Sequence, residues 1–66
     1  MSKIEVGWLI EEPSPAPPRW WAGSRYGWTT DASRAVRFCR EQDAQRVVES
    51  MGWLNTEVVI TDHRWV

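Results

Sequence analysis

Cysteine and histidine are scarce in this chain of 66 residues, which contains one of each, Cys39 and His63. A single cysteine excludes an intrachain disulfide, and one cysteine with one histidine falls short of the ligand set of a structural zinc site. We therefore expect no metal and no cofactor. An unpaired cysteine is typical of a reducing compartment, which favours a cytoplasmic protein.

The chain also lacks a strong charge of one sign and a long apolar run. Its 8 basic and 9 acidic residues give a formal net charge of -1, whereas nucleic-acid-binding proteins usually carry a basic excess. No apolar stretch approaches the ~20 residues that span a membrane, and the N-terminal residues do not resemble a signal peptide. These absences disfavour a membrane or a nucleic acid as the partner.

The abundant residue is tryptophan, with 6 copies. A short chain buries a small share of its surface, so dense packing must replace the missing disulfide or zinc ion. Each aromatic side chain can bury about 150–250 Å². We interpret residues 1–66 as a single domain whose core depends on these rings.

The segment from Lys3 to Glu11 alternates between polar and apolar residues. A period of two predicts a strand with one buried and one exposed face, and Leu9 alone interrupts the exposed face. All 4 prolines follow within 12–18, where they remove backbone donors and favour extended geometry. We interpret 12–18 as a semi-rigid, exposed Pro-rich loop, a connector in preference to a recognition motif for adaptor domains.

Two aromatic runs separated by Gly23-Ser24 predict a β-hairpin. Glycine supplies the positive φ of a two-residue type II′ turn. The resulting register places Trp21 opposite Tyr26 and gives the core side three aromatic side chains, Trp21, Tyr26 and Trp28. It displays Trp20 on the other side beside Arg25, with packing of Trp20 beneath the proline loop as the alternative.

Two short helices are predicted between residues 30 and 51. Thr30 is a suitable N-cap for the first, and Gly52 is a suitable residue to end the second. The apolar residues of the two halves point in directions about 120° apart at the α-helical rotation per residue, so a break is expected near 40–43. Cys39 lies on the first apolar stripe and is expected to be a buried, unreactive thiol, with Phe38 at the junction.

Residues 57–61 are rich in β-branched side chains and predict a closing strand, which 62–66 either continue or follow as a tail. The expected fold class is α+β. A small antiparallel sheet is made of the N-terminal strand, the Gly-Ser hairpin and the C-terminal strand, and two short helices pack on one face of it.

The residue pattern does not indicate an enzyme, because a nucleophile needs a base within reach and a group that orients the base. Binding is the expected activity, and interface hot spots are rich in Trp and Arg. The candidate partner-binding residues are Trp20, Arg19, Arg25, Glu11, Glu12 and Trp65. Trp20 would anchor the partner between the arginines, the two carboxylates would meet basic groups, and Trp65 would be a second anchor.

The central segment from Trp28 to Phe38, followed by Asp43-Ala44 and Val47-Val48, resembles small phage and prophage proteins. In those proteins a tryptophan-rich hairpin leads to a helical stretch with the pattern W-T-x-D, A-x-x-F, D-A, and then to a closing strand. The resemblance covers roughly residues 4–61. Its matching positions are core and capping residues, so it carries over no functional residues.

The resemblance implies a phage-encoded inhibitor of a bacterial defence complex, because several compact proteins of this kind are anti-CRISPR inhibitors. The implied partner is a protein, such as a type I CRISPR effector complex, in the cytoplasm of the host bacterial cell. Two alternatives remain open. One is a small single-stranded nucleic-acid-binding protein that stacks bases on the same surface, and the other is a phage structural or regulatory subunit. A monomer or a weak dimer is expected.

Overall fold

A computed structural model describes residues 5–14, 16–53 and 56–65, with the backbone alone for Glu5 and Trp65. These residues form, in order, β1 (Glu5–Glu12), β2 (Arg19–Trp21), β3 (Trp28–Thr29), a 3₁₀ helix (Ala32–Arg34), α1 (Glu41–Met51) and β4 (Val59–Trp65). The predicted N-terminal strand, Pro-rich loop and closing segment each extend outside the described residues, at Lys3 and Ile4, at Pro15 and at Val66 respectively.

The predicted antiparallel sheet is confirmed, with the strands in the order β3-β2-β1-β4. β1 pairs with β4 from Glu5↔Trp65 to Glu11↔Val59. Its pairing with β2 is much shorter, at Glu11↔Trp20 and Glu12↔Arg19. β1 is therefore the central strand on which the other elements are arranged.

The register of the hairpin differs from the prediction by two residues. Trp21 lies opposite Trp28, not opposite Tyr26, and the connection is a four-residue turn from Gly23 to Tyr26. The Ala22 amide donates to the Gly27 carbonyl at 2.7 Å to close it. Gly23 and Gly27 both have positive φ, so two glycines make this turn where the prediction used one.

The first predicted helix is wrong. Only Ala32–Arg34 is helical there, as one 3₁₀ turn that Asp31, not Thr30, caps by accepting a hydrogen bond from the Ser33 amide. Phe38 is extended, and its backbone exchanges two hydrogen bonds with Trp8 of β1, at 2.8 and 2.9 Å. The physical reason is that β2 does not pair with the part of β1 that precedes Glu11. Phe38 satisfies the backbone groups that are left free there.

The second predicted helix is confirmed as α1, and so is its end at Gly52, which adopts a left-handed conformation with φ of 74°. The Gly52 amide bonds to the Glu49 carbonyl and the Trp53 amide bonds to the Val48 carbonyl. This pair of bonds is a Schellman motif, which commonly brings the residue after the glycine back onto the helix. It places Trp53 against the core.

The core lies between α1 and one face of the sheet. Its buried residues are Ile10, Ala44, Val48 and Val58, and the rings packed against it include Trp8, Trp21, Trp28, Phe38 and Trp53. The Trp21 ring stacks on Phe38 with centroids 6.3 Å apart, and Trp28 lies 5.2 Å from Trp53. Cys39 is exposed, so the prediction of a buried thiol is wrong.

Candidate partner-binding surface

The face of the sheet opposite α1, here called the outer face, has an unexpected composition. Strand alternation and the pairing register assign eight residues to it, Gly7, Leu9, Glu11, Trp20, Thr29, Val59, Thr61 and His63. α1 packs on the other face, against Ile10 and Val58. On β1 the outer face was predicted to be polar except at Leu9, yet Leu9 is 0% exposed.

We infer that Trp20 contributes to the burial of Leu9. Trp20 stands on β2 and His63 on β4, with β1 between them, yet their rings meet edge to face with centroids 5.8 Å apart. The two rings must therefore extend over β1 from opposite sides. Gly7 pairs with His63 and has no side chain, which leaves room for rings above the strand.

Hydrogen bonds fix both rings in place. The Trp20 indole donates from Nε1 to Glu11 Oε1 at 3.2 Å, and His63 Nε2 lies 3.1 Å from Thr61 Oγ1. Trp20 and His63 are each half-buried, so one side of each ring packs on the sheet and part remains accessible. Glu11, Trp20, Thr61 and His63 thus form an ordered patch, which we call the Trp20 patch.

Arg19 and Glu12 do not belong to this patch. They form the β1–β2 pair next to Glu11 and Trp20. Because side chains alternate between the two faces of a strand, Arg19 and Glu12 point toward the helix side of the sheet. Their side chains form a partly exposed ion pair. The two charges partly neutralise each other, so neither is presented as the isolated group that the sequence suggested.

Arg25 lies in the hairpin turn, not on a strand. Its guanidinium carbon is 5.6 Å from the centroid of the Tyr26 ring, a cation–π arrangement, and Tyr26 is 73% exposed. Beside it is an open groove of about 500 Å³ lined by Ala22, Tyr26, Trp28, Thr29 and Arg34. We call this second surface the turn groove.

An acidic neighbour moderates the charge of the turn groove. Asp31 Oδ2 lies 3.7 Å from Arg34 Nε, with both side chains largely exposed. Hydrogen bonds from the Ser33 side chain and backbone, with a smaller contribution from Arg34, lower the pKa of Asp31. Asp31 therefore stays ionised beside Arg34 at neutral pH.

The structure divides the predicted binding residues into separate groups. It brings Trp20 together with Glu11, pairs Arg19 with Glu12 on the other side, and leaves Arg25 in the turn. Trp65 ends β4, but its side chain lies outside the described part. Alternation alone separates Arg19 from Trp20, since adjacent strand residues face opposite ways.

Sequence reasoning missed His63 as a member of these surfaces, and its placement of Tyr26 on the core side is wrong, because Tyr26 is exposed. A signal for His63 existed, because it follows Val59 and Thr61 at the two-residue spacing of one strand face. No comparable signal existed for Tyr26, since its exposure depends on the length of the turn.

Two further properties bear on the kinds of site that are present. Among residues 5–14, 16–53 and 56–65, no group of three His, Cys, Asp or Glu side chains is placed to hold a metal ion. In the same residues, no helix has the length and apolar character required to cross a membrane.

Comparison of the chain with protein-family models, with curated proteins and with solved structures gave no match.

Proposed function

We propose that this protein acts by binding a macromolecular partner through the Trp20 patch, as a stoichiometric inhibitor. The observation that carries the proposal is the ring of Trp20, held across β1 by Glu11 and His63 on the sheet face that α1 does not cover. A half-buried tryptophan in a fixed orientation loses little conformational entropy on binding, which is why such rings are frequent interface hot spots.

The charge of the patch indicates what the partner offers. Glu11 uses one carboxylate oxygen for the Trp20 indole, and its other oxygen can accept a hydrogen bond from a cationic group. We expect the partner to present an apolar pocket beside a lysine or arginine. A basic groove that normally binds nucleic acid has this character, in agreement with the inhibitor of a CRISPR effector complex that the resemblance implies.

The test is capture of effector subunits by the tagged protein from a bacterial lysate that contains a type I CRISPR complex, with nuclease present throughout. We expect the subunits to be retained by the natural chain and by Tyr26→Ala, which changes the turn groove only. Trp20→Phe and Glu11→Lys should each reduce capture at least about tenfold, a loss of roughly 1.4 kcal/mol. Equal capture by all four proteins would exclude the Trp20 patch as the binding site.

A second candidate function is supported by the turn groove. Tyr26 is exposed, with the Arg25 guanidinium over its ring and Arg34 in the same groove. This arrangement resembles, on a smaller scale, the aromatic and cationic surfaces on which single-stranded bases stack. The nearby Asp31 and the net charge of -1 weaken this candidate.

The two candidates predict opposite results with labelled oligothymidylate. Fluorescence anisotropy should show no binding at 150 mM salt if the Trp20 patch is the functional surface. Binding that is lost in Tyr26→Ala and kept in Trp20→Phe would instead assign the function to the turn groove.

A further inference from the structure

The outer edge of β4 is a seven-residue strand edge with no partner in the described residues. β4 (Val59–Trp65) is the last strand of the order β3-β2-β1-β4. The opposite edge of the sheet is β3, which has only two residues. An open edge of this length presents backbone donors and acceptors that another strand can pair with.

The hydrogen bonds of β1 identify which groups of β4 point outward. Trp8 directs both its amide and its carbonyl toward Phe38, on the side away from β4. Trp8↔Asp62 is therefore a non-hydrogen-bonded pair of the β1–β4 ladder. Asp62 consequently directs its own amide and carbonyl to the open edge, and strict alternation places those of Ile60 and Arg64 there as well.

The side chains along this edge have opposite charges at a spacing of two. Asp62 and Arg64 lie on the same face of the sheet, and both are exposed. An antiparallel partner strand with the reversed order of charges would place an arginine opposite Asp62 and a carboxylate opposite Arg64. A second copy of β4 has this reversed order, because a two-fold axis inverts the strand direction.

We propose that β4 is a self-association edge, which pairs antiparallel with β4 of a second copy about a two-fold axis at His63. In this register Asp62 of each chain lies opposite Arg64 of the other. The two pairs are hydrogen-bonded ones, so four backbone hydrogen bonds and two ion pairs close the interface. The product is a continuous eight-stranded sheet with both α1 helices on the same side.

The neighbouring registers are less favourable for a physical reason. An axis at Asp62 places two carboxylates opposite each other, and like charges in that position are destabilising. An axis at Thr61 places Asp62 opposite the apolar Ile60. Charge complementarity therefore selects the register centred on His63.

Charge reversal tests the pairing and its register together. We expect sedimentation equilibrium of the natural chain to show a mass that rises with concentration toward that of two chains. Asp62→Arg places two arginines opposite each other and Arg64→Asp places two carboxylates, so each should weaken the dimer at least about tenfold. The double variant D62R/R64D restores both pairs and should restore the dimer, and an equimolar mixture of the two single variants should form a heterodimer.

Amide hydrogen exchange of the natural chain provides a test that needs no variant. The amides of Asp62 and Arg64 should gain protection as the protein concentration is raised, because they point to the open edge. The amide of His63 points to β1 and should be protected at every concentration. For the charge-reversal variants described above, circular dichroism checks that the fold is kept.

Three results would overturn the proposal. One is a monomer at all accessible concentrations. Another is a dimer that both single charge reversals leave unchanged, and the third is concentration-independent exchange at Asp62 and Arg64. A dimer that Trp20→Phe abolishes while the charge reversals do not would place the second copy on the outer face instead.

Discussion

Trp20 and His63 meet over the central strand of the sheet, with their ring centroids 5.8 Å apart and their planes 88° to each other. They come from β2 and β4, which do not pair with each other. The contact ties the hairpin to the C-terminal strand on the outer face, while on the other face Trp21 and Trp28 of the hairpin pack against Trp53 and the core. Leu9, which lies between Gly7 and Glu11 on the same face of β1, is fully buried.

Leu9→Ala should lower the free energy of unfolding by about 2–4 kcal/mol, because it removes a fully buried side chain and leaves a cavity. Urea denaturation followed by circular dichroism measures this. Val59→Ala, on the same face but 42% exposed, is the matched control and should cost less than about 1 kcal/mol. Equal effects of the two substitutions would show that Leu9 is not enclosed.

Trp20→Ala should cost about 1–3 kcal/mol, less than a fully buried tryptophan, because Trp20 is half-buried. Its removal also uncovers Leu9, so the denaturant dependence of unfolding should decrease as the native state exposes more surface. Trp20→Phe keeps a ring over β1 and should recover part of the loss. An unchanged stability in Trp20→Ala would mean that the ring does not pack on the sheet.

Gly52→Ala should destabilise the protein by about 1 kcal/mol, because residue 52 has φ of 74°, a conformation that disfavours a Cβ atom. Thermal unfolding measures the change. Gly52→Asn is the matched control, since asparagine tolerates the left-handed conformation better, and it should cost less. No difference between the two would indicate that the helix ends in another conformation.

The carboxyl group of Asp31 should titrate below its ordinary pKa, because the Ser33 hydroxyl and amide both donate to it. A lowered pKa in the folded state means that this contribution to stability is present above the unfolded pKa and is lost as the pH falls through the folded value. Carbon-detected NMR across acidic pH measures the midpoint.

Ser33→Ala removes the hydroxyl donor and should move the pKa of Asp31 upward, toward its ordinary value. Arg34→Ala should have a smaller effect, because the guanidinium is the weaker influence on this carboxyl. A larger shift in Arg34→Ala than in Ser33→Ala would contradict the hydrogen-bond explanation.

Features that depend on neighbours in sequence were predictable. The period-two pattern before Glu11 identified β1, and Gly52 identified the end of α1, because strand alternation and a left-handed stop are short-range properties of the backbone. The placement of Trp21 and Trp28 on the core side was also predictable, although their pairing was not. The change near residue 40 in the direction of the apolar residues also correctly excluded one straight helix.

Features that depend on distant segments were decided by the tertiary structure. The hairpin register was set by a turn that uses Gly23 and Gly27 together, and Phe38 became extended because Trp8 had backbone groups to satisfy. The placement of His63 beside Trp20 required both strands to pair with β1. Local sequence determines periodicity and backbone torsion, whereas register and shared faces follow from which backbone groups remain unpaired once the strands have assembled.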